Sequence, residues 1–504
     1  MGSFKSDLPK NWELTTLGEA YQVVGGGTPS TENPAYWGGE IPWITSADIE
    51  GVRQINIRKR ITEKGISEST TNKVPPKTVL VVTRVGLGKI AIAETAICFS
   101  QDLQGLIQNP ELVCPEYTLH LLSYELQILK FEGRGTTISG ITKKQLKDLG
   151  FPLPPISEQR RIVSKIEELF SELDAGIESL KTAQVQLKVY RQSLLKHAFE
   201  GKLTAHWREQ NKDKLESAEA LLVRIQTERE NRYRQQLKEW EAGGKAGSSK
   251  PKASKALTPL TAEELAELPE LPEGWGWTHL ASVITVLSGY AFKSGNFLSE
   301  GAPVVKIANI GYSEFIEKDQ EYLAPTFLDS HTDFIVSPDD LLLALTRPIT
   351  NNTTKVCIYP KEAPLALLNQ RVAALKNAEI NADYIYAYFG TSFFKESIRS
   401  KFSETLQPNL SPKALEACPL PVCSFAEQVQ IVTELESRLS ETVQLDQTIT
   451  TSLQQAEVLR QSILKKAFSG QLVPQDPHDE PASVLLAHIK AEQATQPKAK
   501  KARA

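Results

Sequence analysis

Between Ser157 and Glu200 the apolar residues Ile166, Leu173, Leu180, Leu187 and Leu194 fall seven apart. Ile162, Leu169, Ile177 and Tyr190 fall on the same side, and the segment has no proline and one glycine, Gly176. This is the spacing of a coiled-coil seam, because a heptad keeps one stripe of a helix facing a partner. Ser157, after Pro154 and Pro155, suits an N-cap, and Gly201 suits the residue that ends a helix. A second segment, from about Ala426 to Ser469, carries Ile431, Leu435, Leu439, Ile449, Leu453 and Ile463 on one side and ends at Gly470. At 1.5 Å per residue, each helix of about 44 residues would be about 66 Å long. Neither stripe can stay alone in water. The simplest expectation is that the two helices pack on each other, antiparallel; the alternative is that each folds onto its own domain.

The two helical segments are copies. Glu158-Gln159 and Ile162-Val163 recur 269 residues later as Glu427-Gln428 and Ile431-Val432. At the same offset Arg191-Gln192-Ser193 and Ala198-Phe199 recur as Arg460-Gln461-Ser462 and Ala467-Phe468. Upstream the copying is looser: Pro42 to Ile49 matches Pro303 to Ile310, Val79 to Arg84 matches Leu342 to Arg347, and Pro152-Leu153-Pro154 matches Pro419-Leu420-Pro421. The order is thus variable domain, shared segment, variable domain, shared segment. The boundaries read as a first domain at 8–154, a helix at 155–204, and a helix with a flexible linker at 205–270. A second domain follows at 271–421, a second helix at 422–472 and a tail with a short helix at 473–504. If the helices are antiparallel, a pseudo-twofold axis relates the halves, a geometry suited to two inversely oriented DNA half-sites.

The variable domains read as α+β. Short β-branched runs such as Val79 to Thr83, Ile90 to Ala93, Leu341 to Thr346 and Thr354 to Ile358 alternate with turn residues. Tyr117 to Lys130 and Ala382 to Ser400 look like amphipathic helices. Arg84 and Arg347 end strands and open polar loops, the second running from Pro348 to Lys355. Arginine pairs bidentately with guanine, and asparagine or glutamine with adenine. Gln101 in the first domain and Asn369, Gln370 and Arg371 in the second follow at matched places. The same residues could equally be salt-bridge partners and turn caps.

Composition changes this picture little. The 504 residues are 40% hydrophobic and 23% charged, with a net charge of −4. That charge argues mildly against a nucleic-acid binder, but DNA responds to local potential. Arg53, Arg58, Lys59, Arg60 and Lys64 form one basic cluster, and Lys498, Lys500, Lys501 and Arg503 a basic tail. No run of about 18 apolar residues suggests a membrane span, and Met1 to Lys10 lacks the apolar core of a signal peptide. The five cysteines form no Cys-x-x-Cys pair, which fits a reducing cytoplasm and neither a zinc site nor a disulfide framework.

Catalytic signals fail one by one. Gly86-Leu87-Gly88-Lys89 lacks the earlier glycine and the following Ser or Thr of a phosphate loop. Asn33-Pro34-Ala35-Tyr36 lacks the second proline of an amino-methyltransferase motif, and Pro338-Asp339 lacks a following Asp/Glu-x-Lys. The seven histidines show no metal-ligand spacing. Binding is therefore the expected activity.

The sequence resembles the specificity subunits of Type I restriction-modification enzymes. Gly26-Gly27-Thr28-Pro29-Ser30 through Asn33-Pro34-Ala35-Tyr36-Trp37-Gly38-Gly39 and Ile41-Pro42-Trp43-Ile44 looks like the opening of their target-recognition domains. Pro152-Leu153-Pro154-Pro155 with Glu158-Gln159 looks like the start of their helical spacer, and Ala198-Phe199 with Gly201 to Arg208 its end. The resemblance implies two globular α+β target-recognition domains joined by two long antiparallel α-helices in a coiled coil. Each domain would read half of a split target in double-stranded DNA, through residues among Ser46, Asp48, Arg84, Lys89 and Gln101 in one, and Lys306, Asn309, Arg347, Lys355, Asn369, Gln370 and Arg371 in the other. It further implies two modification (methyltransferase) subunits bound around the helices, and restriction (translocase and nuclease) subunits. S-adenosylmethionine, ATP and Mg would sit on those partners, with no cofactor, metal or catalysis in this chain. A stand-alone two-headed DNA-binding protein and an enzyme with an unrecognised site are the other readings.

Overall fold

The computed structural model describes residues 8–50, 54–84, 88–132, 140–242, 250, 258–402 and 408–495. It has two compact units, Met1–Thr182 with Ile449–Ala504, and Ala183–Thr448.

In the first unit, strand Glu13–Thr16 pairs antiparallel with Gly150–Leu153, so the domain's start closes on its end. Between them lie two four-stranded sheets. One runs Gln22–Gly25, Leu103–Ile107, Val79–Val82, Ile90–Ile92; the other runs Lys59–Ile61, Trp37–Ile44, Ile97–Phe99, Lys73–Val74. The second unit repeats this. Gly276–His279 pairs with Pro419–Val422, one sheet runs Thr285–Ser288, Val372–Lys376, Leu341–Ala344, Val356–Ile358, and the other Glu321–Leu323, Ala302–Val305, Ala366–Leu368, Ile335–Val336. The single parallel pairing falls at the same place in each second sheet.

Strands Val79–Val82 and Leu341–Ala344 are buried on both faces, which is why each is apolar at every position. Their side chains alternate between two cores: Val79 and Val81 face one, Leu80 and Val82 the other. Leu341 and Leu343 face one core of the second unit, and Leu342 and Ala344 another.

The long helices are Ile156–Phe199 and Phe425–Phe468, each of 44 residues, and each continues from one unit into the other. Both expectations for their packing hold in part. In the first unit, Ile162 and Ile166 share a core with Ile463, Leu464 and Phe468, but also with Tyr117 and Phe151 of the domain. Arg460 meets Asp174, and its guanidinium lies 4.5 Å from the Phe170 ring. In the second unit, Leu194, Leu195 and Phe199 pack with Ile431, Leu435, Tyr384 and Tyr388. Arg191 Nε donates to Thr442 Oγ1 at 2.8 Å, and Gln184 Nε2 to Asp446 at 3.3 Å. Rising numbers on one helix meet falling numbers on the other in both units, so the pairing is antiparallel.

The heptad positions are not equally covered. Ile166, Leu194, Leu435, Ile449 and Ile463 are buried, whereas Leu173, Leu180, Leu187, Leu439 and Leu453 are half-buried. Tyr190, expected in the seam, is 45% exposed, and its hydroxyl bonds Arg438. Ser157 does not cap the first helix: the helix begins at Ile156, and the Ser157 hydroxyl bonds Asp479 instead. The glycine stops are as expected, with φ of 68° at Gly201 and 73° at Gly470. The segment expected as one helix over Ala382 to Ser400 is two, Ala382–Phe389 and Ser392–Arg399. Gly390 interrupts it, and Thr391 accepts the N–H of Phe394 to cap the second piece. Within the 205–270 region, Ala218–Ala242 forms a 25-residue helix whose Ala218, Leu221 and Ile225 are buried. The glycine-rich linker expected after it lies outside the described residues.

The copied Glu-Gln pair ties each helix to its surroundings. Gln159 accepts the N–H of Cys114 and donates to Pro154 O, both at 2.9 Å. Gln428 does the same with Asn381 N at 2.9 Å and Cys423 O at 2.7 Å. Glu427 is buried and accepts from Thr204 Oγ1 at 2.7 Å and Trp275 Nε1 at 2.9 Å, with Arg208 Nε at 3.3 Å. Replacing Glu427 with alanine takes the shared acceptor from buried Thr204 and from the half-buried Trp275 and Arg208. Chemical denaturation is expected to show a loss of about 3 kcal/mol; an unchanged midpoint would refute the lock.

Candidate nucleic-acid interface

Each buried central strand delivers an arginine to the surface. Strand Val79–Val82 runs into Thr83, whose N–H donates to Asp102 O at 2.9 Å, so Arg84 emerges beside the Gln101-Asp102 turn. In the second unit Leu345 N donates to Arg371 O at 2.8 Å, and Arg347 emerges beside Asn369, Gln370 and Arg371. A returning segment flanks each arginine: Ile141 N bonds Thr83 O, and Leu410 N bonds Leu345 O, both at 2.8 Å. Arg84, Gln101, Arg347, Gln370 and Arg371 are exposed, and Asn369 is half-buried. Among the described residues, neither Arg84 nor Arg347 has an ion pair. Arg347 also holds φ at 49°, left-handed, immediately before Pro348. A non-glycine residue in that conformation is strained, and such strain clusters at ligand clamps. Gln101 is oriented by Thr28, whose hydroxyl donates to its Oε1 at 2.6 Å.

The other sequence-predicted residues support these edges. Asp48 is buried; its Oδ2 accepts from Thr45 N at 2.7 Å and Thr45 Oγ1 at 2.8 Å, and Arg58 pairs with it. Burial pushes this carboxyl up, but Arg58 and the Thr45 donors outweigh burial and hold it below the usual carboxylate value. Asn309 occupies the same position in the second unit: buried, it accepts Lys306 N at 2.8 Å and donates to Ile316 O at 2.8 Å. Both side chains are engaged in shaping their own turn. Lys89 is similarly committed, donating to Ile49 O at 2.8 Å and Ser46 O at 3.2 Å. Lys306 pairs with Glu321 at 2.7 Å, and Lys355 lies 5.9 Å over the Tyr312 ring. Ser46 is half-buried in the turn that Asp48 shapes.

Of the basic cluster, Arg58 is spent on Asp48, Arg60 Nη1 donates to Glu40 O at 2.6 Å, and Lys59 lies 5.5 Å over Trp37. Arg53, loop residues Val85, Gly86 and Leu87, and the basic tail lie outside the described residues. One neighbour was missed from sequence. Tyr290 is 44% exposed and bonds through its backbone to Leu368 O at 2.8 Å and Gln370 N at 3.1 Å, directly against the Asn369–Arg371 turn. No helix of the described residues is long and apolar enough to cross a membrane.

Comparison with known proteins follows the same duplication. The Type I restriction modification DNA specificity domain family matches residues 9–182 and again 272–455. The Type I restriction enzyme EcoAI specificity subunit of Escherichia coli is 30% identical over 513 aligned positions, covering 89% of this chain and 81% of that one. The MjaIX specificity subunit of Methanocaldococcus jannaschii is 31% identical over 197, covering 38% of this chain and 44% of that one, so the chain spans less than half of that relative. The crystal structure of the HsdS subunit from Thermoanaerobacter tengcongensis shares the fold at 18% identity, with a TM-score of 0.56 over 94% of this chain and 99% of that one. With two matched domains, a full-length relative and the shared fold, the chain belongs to the Type I restriction-modification DNA specificity subunit family.

Proposed function

We propose that this chain reads a two-part target in duplex DNA, one part per unit, and presents that site to partner subunits which methylate adenine and cut. The observation that carries the reading is the repeated edge. Each unit raises an arginine with no ion pair among the described residues from the end of a fully buried strand, next to a turn bearing amide side chains. Such a set matches guanine and adenine edges in the major groove, and a rigid strand end holds it in register. The two edges carry different side chains, Arg84 and Gln101 against Arg347, Asn369, Gln370 and Arg371, so they read different bases.

In this reading the paired helices set the number of unread base pairs between the two parts. Two modification subunits dock around them, and restriction subunits complete the assembly in the cytoplasm. S-adenosylmethionine, ATP and Mg belong to those partners, and this chain catalyses nothing. Methylome sequencing of cells expressing the chain with its modification partner tests the whole proposal. Methylated adenines are expected in one split motif. Methylation in a contiguous motif, or turnover by the purified chain alone, would overturn it.

A further inference from the structure

We propose that Tyr290 is a specificity-determining residue that contacts the C5-methyl group of a thymine in the part of the target read by the second unit. The inference rests on the DNA-reading function proposed above and adds to it a residue and the base it recognises.

Three observations carry it. The first is position. Gly289 N bonds Val372 O at 3.3 Å, at the start of the strand that follows Arg371, and Tyr290 N bonds Leu368 O, at the end of the strand before Asn369, which locks Tyr290 across the turn between them. A Cβ at Gly289 would fall 2.2 Å from Asn369 O, so the two backbones approach as closely as glycine allows. Tyr290 therefore stands beside the Asn369–Arg371 turn because of the backbone, not by the choice of a flexible side chain.

The second is rigidity. The Tyr290 ring lies 4.9 Å from His331, 5.1 Å from Phe292 and 5.3 Å from Phe334. Three rings hold it from behind while nearly half of its surface stays open. A ring packed this way cannot swing out as a wedge between bases. It can offer a fixed apolar surface, which among base edges in the major groove complements only the thymine methyl.

The third is contrast with the first unit. There Gly27 takes the same place, its N–H bonding Phe99 O at 2.8 Å. A Cβ on Gly27 would fall 2.5 Å from Thr70 Oγ1 and 2.6 Å from Thr71 N, so no side chain fits. The next residue, Thr28, instead orients Gln101, whereas its counterpart Ala291 can orient nothing. The first edge reads with a held amide; the second adds an aromatic surface. A residue needed only for the shared fold would not be a buried glycine in one copy and an exposed ring in the other.

The test is equilibrium binding of the chain, assembled with its modification subunits, to duplexes of the mapped target. Each thymine of the second half, on either strand, is replaced in turn by uracil, which lacks only the methyl. At one position uracil is expected to weaken wild-type binding roughly fourfold, the factor for burying one methyl-sized group. Tyr290→Ala binds the unmodified duplex about that weakly, by the same factor, and loses its sensitivity to uracil there. Tyr290→Phe keeps it. The first half of the target serves as the folding control and is bound equally by all three proteins. Wild-type protein indifferent to every uracil, or Tyr290→Ala still sensitive, overturns the inference. If Arg347→Ala relaxes the second half in the same assay, only Tyr290 has been misassigned; if Arg347→Ala too changes nothing, the DNA-reading function has failed with it.

Discussion

Inserting four residues after Gly176 in the first long helix moves methylation to a target whose two parts are unchanged and whose gap is one to two base pairs longer. Four residues advance a helix by about 6 Å and turn it by about 400°, only about 40° past a full turn. The apolar stripe therefore nearly keeps its face. Six ångströms is a little under the rise of two base pairs, at about 3.4 Å each. Gly176 is the right site because a Cβ there would meet nothing within 4 Å, so added side chains collide with nothing near it. The contacts on either side, Ile166 with the first domain's core and Arg191 with Thr442, stay within their own units. Methylome sequencing reads the result directly. The original motif is expected to lose methylation almost completely, since one recognition edge can no longer reach its bases. Persistence of the original gap would sink the idea that the helices measure the spacing.

The parts of this fold that were legible in sequence are those with a period or a copy. The heptads of Ile166 to Leu194 gave the first long helix because a stripe of leucine has no other stable use at that spacing. The glycine stops at Gly201 and Gly470 were legible because a left-handed residue is needed there. Duplication exposed the two domains and their common order of strands. It also misled. The best-preserved polar residues, Glu158-Gln159 and Glu427-Gln428, turn out to tie helix to domain, and Asp48 and Asn309 build the same turn twice. Residues that match between copies tend to be those the shared fold needs. Tyr290 went unseen for the complementary reason: its counterpart is glycine, so no match drew attention to it. Sequence period also overstated the seam. Tyr190 sits in register yet stays 45% exposed, its hydroxyl bonded to Arg438. The helix expected within 205–270 is there as Ala218–Ala242, but its length was not legible, because its charged sequence carries no long apolar stripe beyond Ile225.

Arg84→Ala and Arg347→Ala each relax one part of the target and leave the other intact. Both arginines follow the exposed end of a buried strand, but not at equivalent positions. Thr83 and Leu345 make the matching backbone bonds, to Asp102 and Arg371, so Arg84 follows its anchor by one residue and Arg347 by two, and the sequence match of Val79–Arg84 with Leu342–Arg347 is one residue out of register. Neither has an ion pair among the described residues, so removing one leaves no buried carboxylate behind and no reason for lost stability. A bidentate arginine–guanine pair contributes roughly 1–3 kcal/mol of discrimination, or about 5- to 150-fold at the position it reads. That loss is expected at one base pair of the first part for Arg84→Ala and of the second for Arg347→Ala. Competition binding against a panel of single-base variants separates the outcomes. A loss confined to one position marks a base contact. Uniform weakening over all duplexes, with a shallower salt dependence, marks a phosphate contact instead. A variant that relaxes both parts at once would contradict the division of labour between the two units.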